Sequence, residues 1–189
     1  DSVQPASVVR DLGLFIDNEL SMKAHINNLV RTCFCILRGL KTIRRSLPPD
    51  TIKMLIHSFI TSRIDYCNIS FSGLPYTSLM RIQSVVNAAA RLVCNLRKYD
   101  HIIPLLRDQL HGLKVPERIQ YKLCLLTYKC LHDLATNYLS VYIVPLSAVP
   151  SRQNLRSSKS SDIFIPRTNT KAGERAFCVA GPSAWNLLP

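Results

Sequence analysis

Residues 26–45, INNLVRTCFCILRGLKTIRR, decide both the fold and the surface chemistry of this chain. Apolar residues recur at Ile26, Val30, Cys33, Leu37 and Leu40, the three-and-four spacing that lines one side of an α-helix. Lys23, Asn27, Arg31, Arg38 and Lys41 fall on the other faces, and Arg44 and Arg45 follow directly. From Arg31 to Arg45 there are five positive charges and no acid.

Downstream, Leu47-Pro48-Pro49-Asp50-Thr51 stops this helix and starts a second, because proline breaks a helix interior while an Asp or Thr side chain accepts from the first free amides. Ile52, Leu55, Ile56, Phe59 and Ile60 give the second helix its buried side. Gly73 and Pro75 punctuate FSGLPYTS (71–78), where Thr77 or Ser78 is expected to cap a third helix. That helix uses Leu79, Ile82, Val86, Ala89, Leu92, Val93 and Leu96, and its Ala88-Ala89-Ala90 run permits close approach by a neighbour. A short apolar segment, 102–110, precedes a long helix predicted from about residue 116 to 134. Pro116 and Glu117 suit its first turn, and Ile119, Leu123, Leu126, Cys130 and Leu131 share one side.

Outside these helices, LGLFI reads as a short strand over residues 11–16. From about Pro145 the chain turns polar: SAVPSRQNLRSSKSSD (147–162) reads as a linker or exposed arm. Ile163 and Ile165 then alternate as in a brief strand, and Phe177, Trp185, Leu187 and Leu188 are expected to dock on the helices. The expected fold is mainly α: a helical bundle with a short N-terminal strand and an irregular C-terminal extension with minor β.

With 189 residues, 47% of them hydrophobic, the chain has enough apolar material for a core. Lys and Arg number 24 against 12 acids, and the resulting +12 favours polyanions or anionic surfaces as partners. No run of 18 apolar residues occurs, so no membrane partner is expected. The start, DSVQPASVVRDLG, lacks the pattern of a signal peptide and reads as a cut edge. Seven scattered cysteines, an odd number, fit a reducing intracellular setting, cytoplasm or nucleus.

Several chemistries lack their residues. Nucleotidyl transfer by two metal ions needs carboxylates that hold the cations roughly 3.5–4 Å apart. No two of the twelve acids are adjacent, and Asp17 with Glu19 is the nearest approach to a pair. No catalytic residue is therefore assigned, and these residues alone are expected not to polymerise. For zinc, Cys33-Phe34-Cys35 has the wrong spacing, and a helix turns the two thiols to different sides. There is no G-x-S-x-G elbow and no Gly-rich phosphate loop. No metal, cofactor or small-molecule ligand is expected on this chain.

The candidate binding residues are cations. Arg31, Arg38, Lys41, Arg44 and Arg45 form a basic face that phosphates attract through counterion release. Arg91, Arg97 and Lys98 form a second group near the end of the third helix. The competing reading is a solvated helix face for the first group and cations complementing a helix dipole for the second. Tyr66, Tyr76, Tyr99, Tyr121 and Tyr128 are read as packing residues with wet hydroxyls rather than stacking platforms.

Three linked phrases add to this: SRIDYCNISFSGLP (62–75), LMRIQSVVNAAARLV (79–93) and DHIIPLLRDQLHGLKVPERIQYKL (100–123). With LGLFIDNELSMKAHI (12–26) before them and AFCVAGPSAWNLLP (176–189) after, they resemble LINE-type, non-LTR retrotransposon reverse transcriptases of the jockey and chicken-repeat kind, downstream of the catalytic palm motif. The resemblance implies a palm remnant over 1–20, a thumb-like helical domain over 21–145, and a basic linker with a docking segment over 146–189. It implies an RNA or DNA template-primer as partner, held by its backbone, with the palm and fingers of the parent chain completing the enzyme. Mg²⁺ is then expected only in that palm. The family's Leu-His-Trp-Leu-Pro-Val appears here as Leu110-His111-Gly112-Leu113-Lys114-Val115. The alternative is a helical protein-interaction domain whose basic surface has no nucleic-acid role. A helix-turn-helix reader is disfavoured by the PPD and SGLP connections.

Overall fold

A computed structural model describes residues 6–97, 100, 102, 112–150 and 162–188. The chain is mainly α-helical, as its periodicity predicts, with a two-stranded antiparallel sheet near its start. It divides into two compact units, Asp1–Glu117 and Arg118–Pro189.

In the first unit, strands β1 (Val8–Asp11) and β2 (Leu14–Asp17) pair with Val9 opposite Ile16 and Asp11 opposite Leu14. The expected single strand over 11–16 is therefore a hairpin. Leu12 and Gly13 make its turn with φ of 43° and 84°. Two positive φ values match the right-handed twist of the strands they join. Tyr66 holds this turn by donating its hydroxyl to the Leu12 carbonyl at 2.7 Å.

Helix α1 (Lys23–Ile43) buries Ile26, Leu29, Cys33, Leu37 and Leu40, with His25 beside them. Helix α2 (Pro49–Ile56) passes through a π-helical turn, His57–Thr61, into the short α3 (Ser62–Asp65). Ile52, Ile56, Ile60 and Ile64 are all buried along this run. Steps of four on a 3.6-residue helix drift by about 40° each. The wider π turn takes up that drift and keeps the stripe inside. Phe59, expected in the stripe, is instead exposed, because Ile60 holds the interior. Fully burying one such side chain stabilises by about 1.5–3 kcal/mol.

Helix α4 (Tyr76–Cys94) begins one residue before the expected cap at Thr77 or Ser78, and Pro75 precedes it with no side-chain cap. It buries Ile82, Val85, Ala89, Ala90 and Val93. Helices α1 and α4 pack side by side in the same direction. Arg81 near the start of α4 donates to Asn27 near the start of α1 at 2.6 Å, and Arg44 just past α1 reaches the last turn of α4. Asn95 ends α4 in the left-handed conformation at φ 54°, and the N–H groups of Asn95 and Leu96 both turn back to the Arg91 carbonyl.

Helix α5 (Val115–Leu131) opens in the first unit, where Lys114 N–H donates to Glu117 at 2.9 Å and Val115 N–H to the buried Gln83 at 2.8 Å. The rest of α5 belongs to the second unit. Helices α6 (Asn137–Ser140), α7 (Lys171–Glu174) and α8 (Phe177–Trp185) follow. Cys130, Ile143 and Ile163 form the core here, with Leu131, Leu139, Phe177 and Trp185 packed against it. Asn186 binds both the N–H and the C=O of Ile163 at 2.9 Å, as a paired strand would. Ile163 makes one isolated bridge, to Pro145, while Ile165 is exposed. Phe177 and Trp185 dock as expected, but Leu187 and Leu188 remain exposed. The apolar segment 103–110 and the arm at 151–161 lie outside the described residues.

Candidate nucleic-acid interface

The basic stripe of α1 follows helical geometry. Arg38 and Lys41 stand three residues apart on α1 and Arg45 follows just past its end; Lys41 lies one turn beyond Leu37, so these cations flank the buried stripe. That face borders α4. Together the two helices enclose a groove of about 930 Å³ whose lining includes Arg38, Lys41, Arg44, Arg45 and Arg91. Phe34, Leu37, Ala88, Leu92 and Leu96 supply its apolar surface, and Thr42, Ser84 and Asn95 its neutral polar groups.

Five of the eight predicted cations therefore line one groove. Arg31 precedes Arg38 by seven residues, two turns or roughly 10.5 Å along the same stripe, and is not among the lining residues. Arg97 is exposed beyond α4, where Asp100 accepts from its N–H at 2.7 Å. Lys98 lies outside the described residues. Among the described residues, none of the five groove cations has a carboxylate within 4.0 Å.

The five differ in what they do locally. Arg44 donates from Nε to the Leu92 carbonyl at 3.0 Å and from a terminal nitrogen to the Val93 carbonyl at 3.4 Å. Those carbonyls have no partner inside α4, so Arg44 caps the helix across the bundle. Arg91 lines the groove with its Nε buried and without a hydrogen-bond acceptor. Arg38, Lys41 and Arg45 are exposed. The sequence missed Phe34, Ser84 and Asn95. Ser84, Ala88 and Leu92 recur every four residues along α4, which is the signal that could have placed them on one line.

The remaining candidates fall elsewhere. Asp17 is engaged by Ser21, whose N–H and hydroxyl donate to its two oxygens at 2.6 and 2.7 Å and hold its carboxyl below the usual range. Tyr66, Tyr76, Tyr121 and Tyr128 are exposed rather than packed inside, and none lines the groove. Tyr128 lies against His132 with ring centres 4.1 Å apart. All seven cysteines are unpaired; Cys33 is buried and Cys35 exposed, as their helical offset requires. Burial pushes the Cys33, Cys124 and Cys130 thiols up, away from the reactive thiolate. Among the described residues, no three His, Cys, Asp or Glu side chains gather as a metal site, and no helix is long and apolar enough to cross a membrane. Compared with family models, with curated proteins and with solved structures, the chain matches none.

Proposed function

We propose that this chain is part of an RNA-directed DNA polymerase of the LINE-type retrotransposon kind, and that its α1–α4 layer grips the sugar-phosphate backbone of a template-primer without reading bases. The observation that carries this reading is the groove whose lining includes Arg38, Lys41, Arg44, Arg45 and Arg91 and, among the described residues, no acid. Charge around it agrees: residues 21–97 hold eleven Lys and Arg against two acids, Asp50 and Asp65. Cations contacting phosphates position a nucleic acid and carry no sequence information, which is what a grip on any template requires. The carboxylates and Mg²⁺ of the reaction belong, on this reading, to a palm outside these 189 residues.

Fluorescence titration of the chain with a labelled primer-template duplex at 50 and 200 mM salt tests the reading. Arg38, Lys41, Arg45 and Arg91 are the cations not committed to capping, and each neutralised phosphate contributes about 0.9 to the salt slope. Four contacts then weaken binding roughly a hundredfold between the two salts. Charge reversal at Arg38, Lys41 and Arg45 should weaken every sequence alike and flatten that slope. Unchanged affinity in this variant, or no binding at 50 mM, overturns the proposal.

Leu134, Tyr138, Val141 and Tyr142 favour a second reading, a helical protein-interaction domain, because all four are more than half exposed within a nine-residue stretch. The absence of nucleic-acid binding at low salt would select it.

A further inference from the structure

Resting on the backbone-grip reading of the same groove, we infer that its occupant is a single strand, with a base against the apolar floor and the phosphates along the cationic rim. Packed helix axes stand about 8–10 Å apart. A duplex is wider than that, since its major groove alone is about 12 Å across. Helices are themselves about 10–12 Å across with side chains, so two packed at this spacing leave only a furrow between them, whose floor a duplex cannot reach. One strand can.

The lining has the two parts that a single strand needs. Phe34, Leu37, Ala88, Leu92 and Leu96 form an apolar surface that includes an aromatic ring. A surface meant only for phosphates gains nothing from these residues, whereas every nucleobase has an apolar face that stacks on such a floor. Arg38, Lys41 and Arg45 stand exposed at the border for the backbone. Arg91 combines both roles. Its guanidinium is planar and lines the same groove, and its Nε is sealed from solvent without an acceptor. Planar guanidinium stacks on bases as well as binding phosphate. The neutral Asn95 and Ser84 beside it provide groups that tolerate any base rather than selecting one.

The test is anisotropy titration of the full 189-residue chain at 50 mM salt with three labelled probes: a 12-nucleotide single strand, its duplex, and an abasic 12-mer with the same phosphates. The single strand should bind at least about fivefold tighter than the abasic strand, the low end of what one stacked base contributes, and tighter than the duplex. Phe34→Leu, which keeps the apolar volume and removes the ring, should narrow the gap between normal and abasic strands without altering the circular dichroism spectrum. Equal binding of the normal and abasic strands overturns the single-strand inference and leaves the backbone grip standing. So does a duplex that binds tightest. If no probe binds, both readings fall.

Discussion

Arg44→Met separates a structural cation from its ligand-facing neighbours. The substitution keeps most of the apolar stem and removes the guanidinium that donates to the Leu92 and Val93 carbonyls at 3.0 and 3.4 Å. A hydrogen bond from a charged donor contributes about 1.5–3 kcal/mol, and only the shorter of these two has good length. Methionine also leaves two carbonyls of the α4 terminus to water, which offsets part of the loss. The expected cost is therefore about 1.5–2.5 kcal/mol, which lowers Tm by roughly 3–10 °C for a chain of this size. Thermal melts followed by circular dichroism at 222 nm measure it. Lys41→Met and Arg45→Met, which remove exposed cations from the same end of α1, should shift Tm by less than about 2 °C while weakening polynucleotide binding. If Arg44→Met melts like the native chain, or if Lys41→Met destabilises as much, then the cap is not what Arg44 supplies.

His25 is buried beside Phe15 and Phe71, with ring centres 6.4 and 5.7 Å away, and burial pushes its pKa below 6.5. The unfolded chain thus binds this proton more readily. Its contribution to stability is whole above about pH 6.5 and is lost as pH falls through the lower folded value. Melts between pH 7.5 and 5 should therefore fall more steeply in the native chain than in His25→Gln. Gly181→Ala should destabilise the second unit by about 1–2 kcal/mol, because the new methyl would stand 2.9 Å from Thr127 Oγ1 and 3.0 Å from the Phe177 ring; urea unfolding that shows a gain would refute the close approach. Asn186→Ala removes both bonds to the Ile163 backbone and should speed hydrogen exchange at that amide by at least tenfold, while an unchanged rate would show that Asn186 does not protect it.

What could be read in the sequence is what depends on local periodicity. The α1 stripe was legible because Ile26, Cys33, Leu37 and Leu40 repeat at the period of the helix itself. Arg38, Lys41 and Arg45 were legible as one face for the same reason. The π turn at His57–Thr61 was not, because the four-residue spacing of isoleucines fits an α-helix until the accumulated rotation is followed over three steps. The hairpin turn was obscured by Leu12, since leucine seldom adopts a positive φ and the paired Tyr66 hydroxyl that holds it comes from 54 residues away. Leu187 and Leu188 were misplaced because they lie past the end of α8 at Trp185, and apolar character alone does not say where that helix stops. Arg44 looked like any other member of the stripe. Its partner carbonyls lie 48 and 49 residues downstream, and only tertiary packing brings them within reach.

The capping role also decides how much of the groove's charge is left for a ligand. Helices α1 and α4 run in the same direction and both end near the groove, so each brings the partial negative charge of its C-terminus, about half an elementary charge. Two helix ends therefore call for about one compensating cation. Arg44 meets that need on α4 by direct hydrogen bonds. Arg38, Lys41, Arg45 and Arg91 remain, with no carboxylate partner among the described residues. Four like charges around one groove repel one another, and Arg91 adds the cost of a buried donor without an acceptor, about 1–3 kcal/mol. Helix-end stabilisation accounts for one of the five cations and gives no reason for the other four to share the groove. An anion there offsets their repulsion, and the apolar floor between them favours an anion that carries a flat, poorly hydrated face.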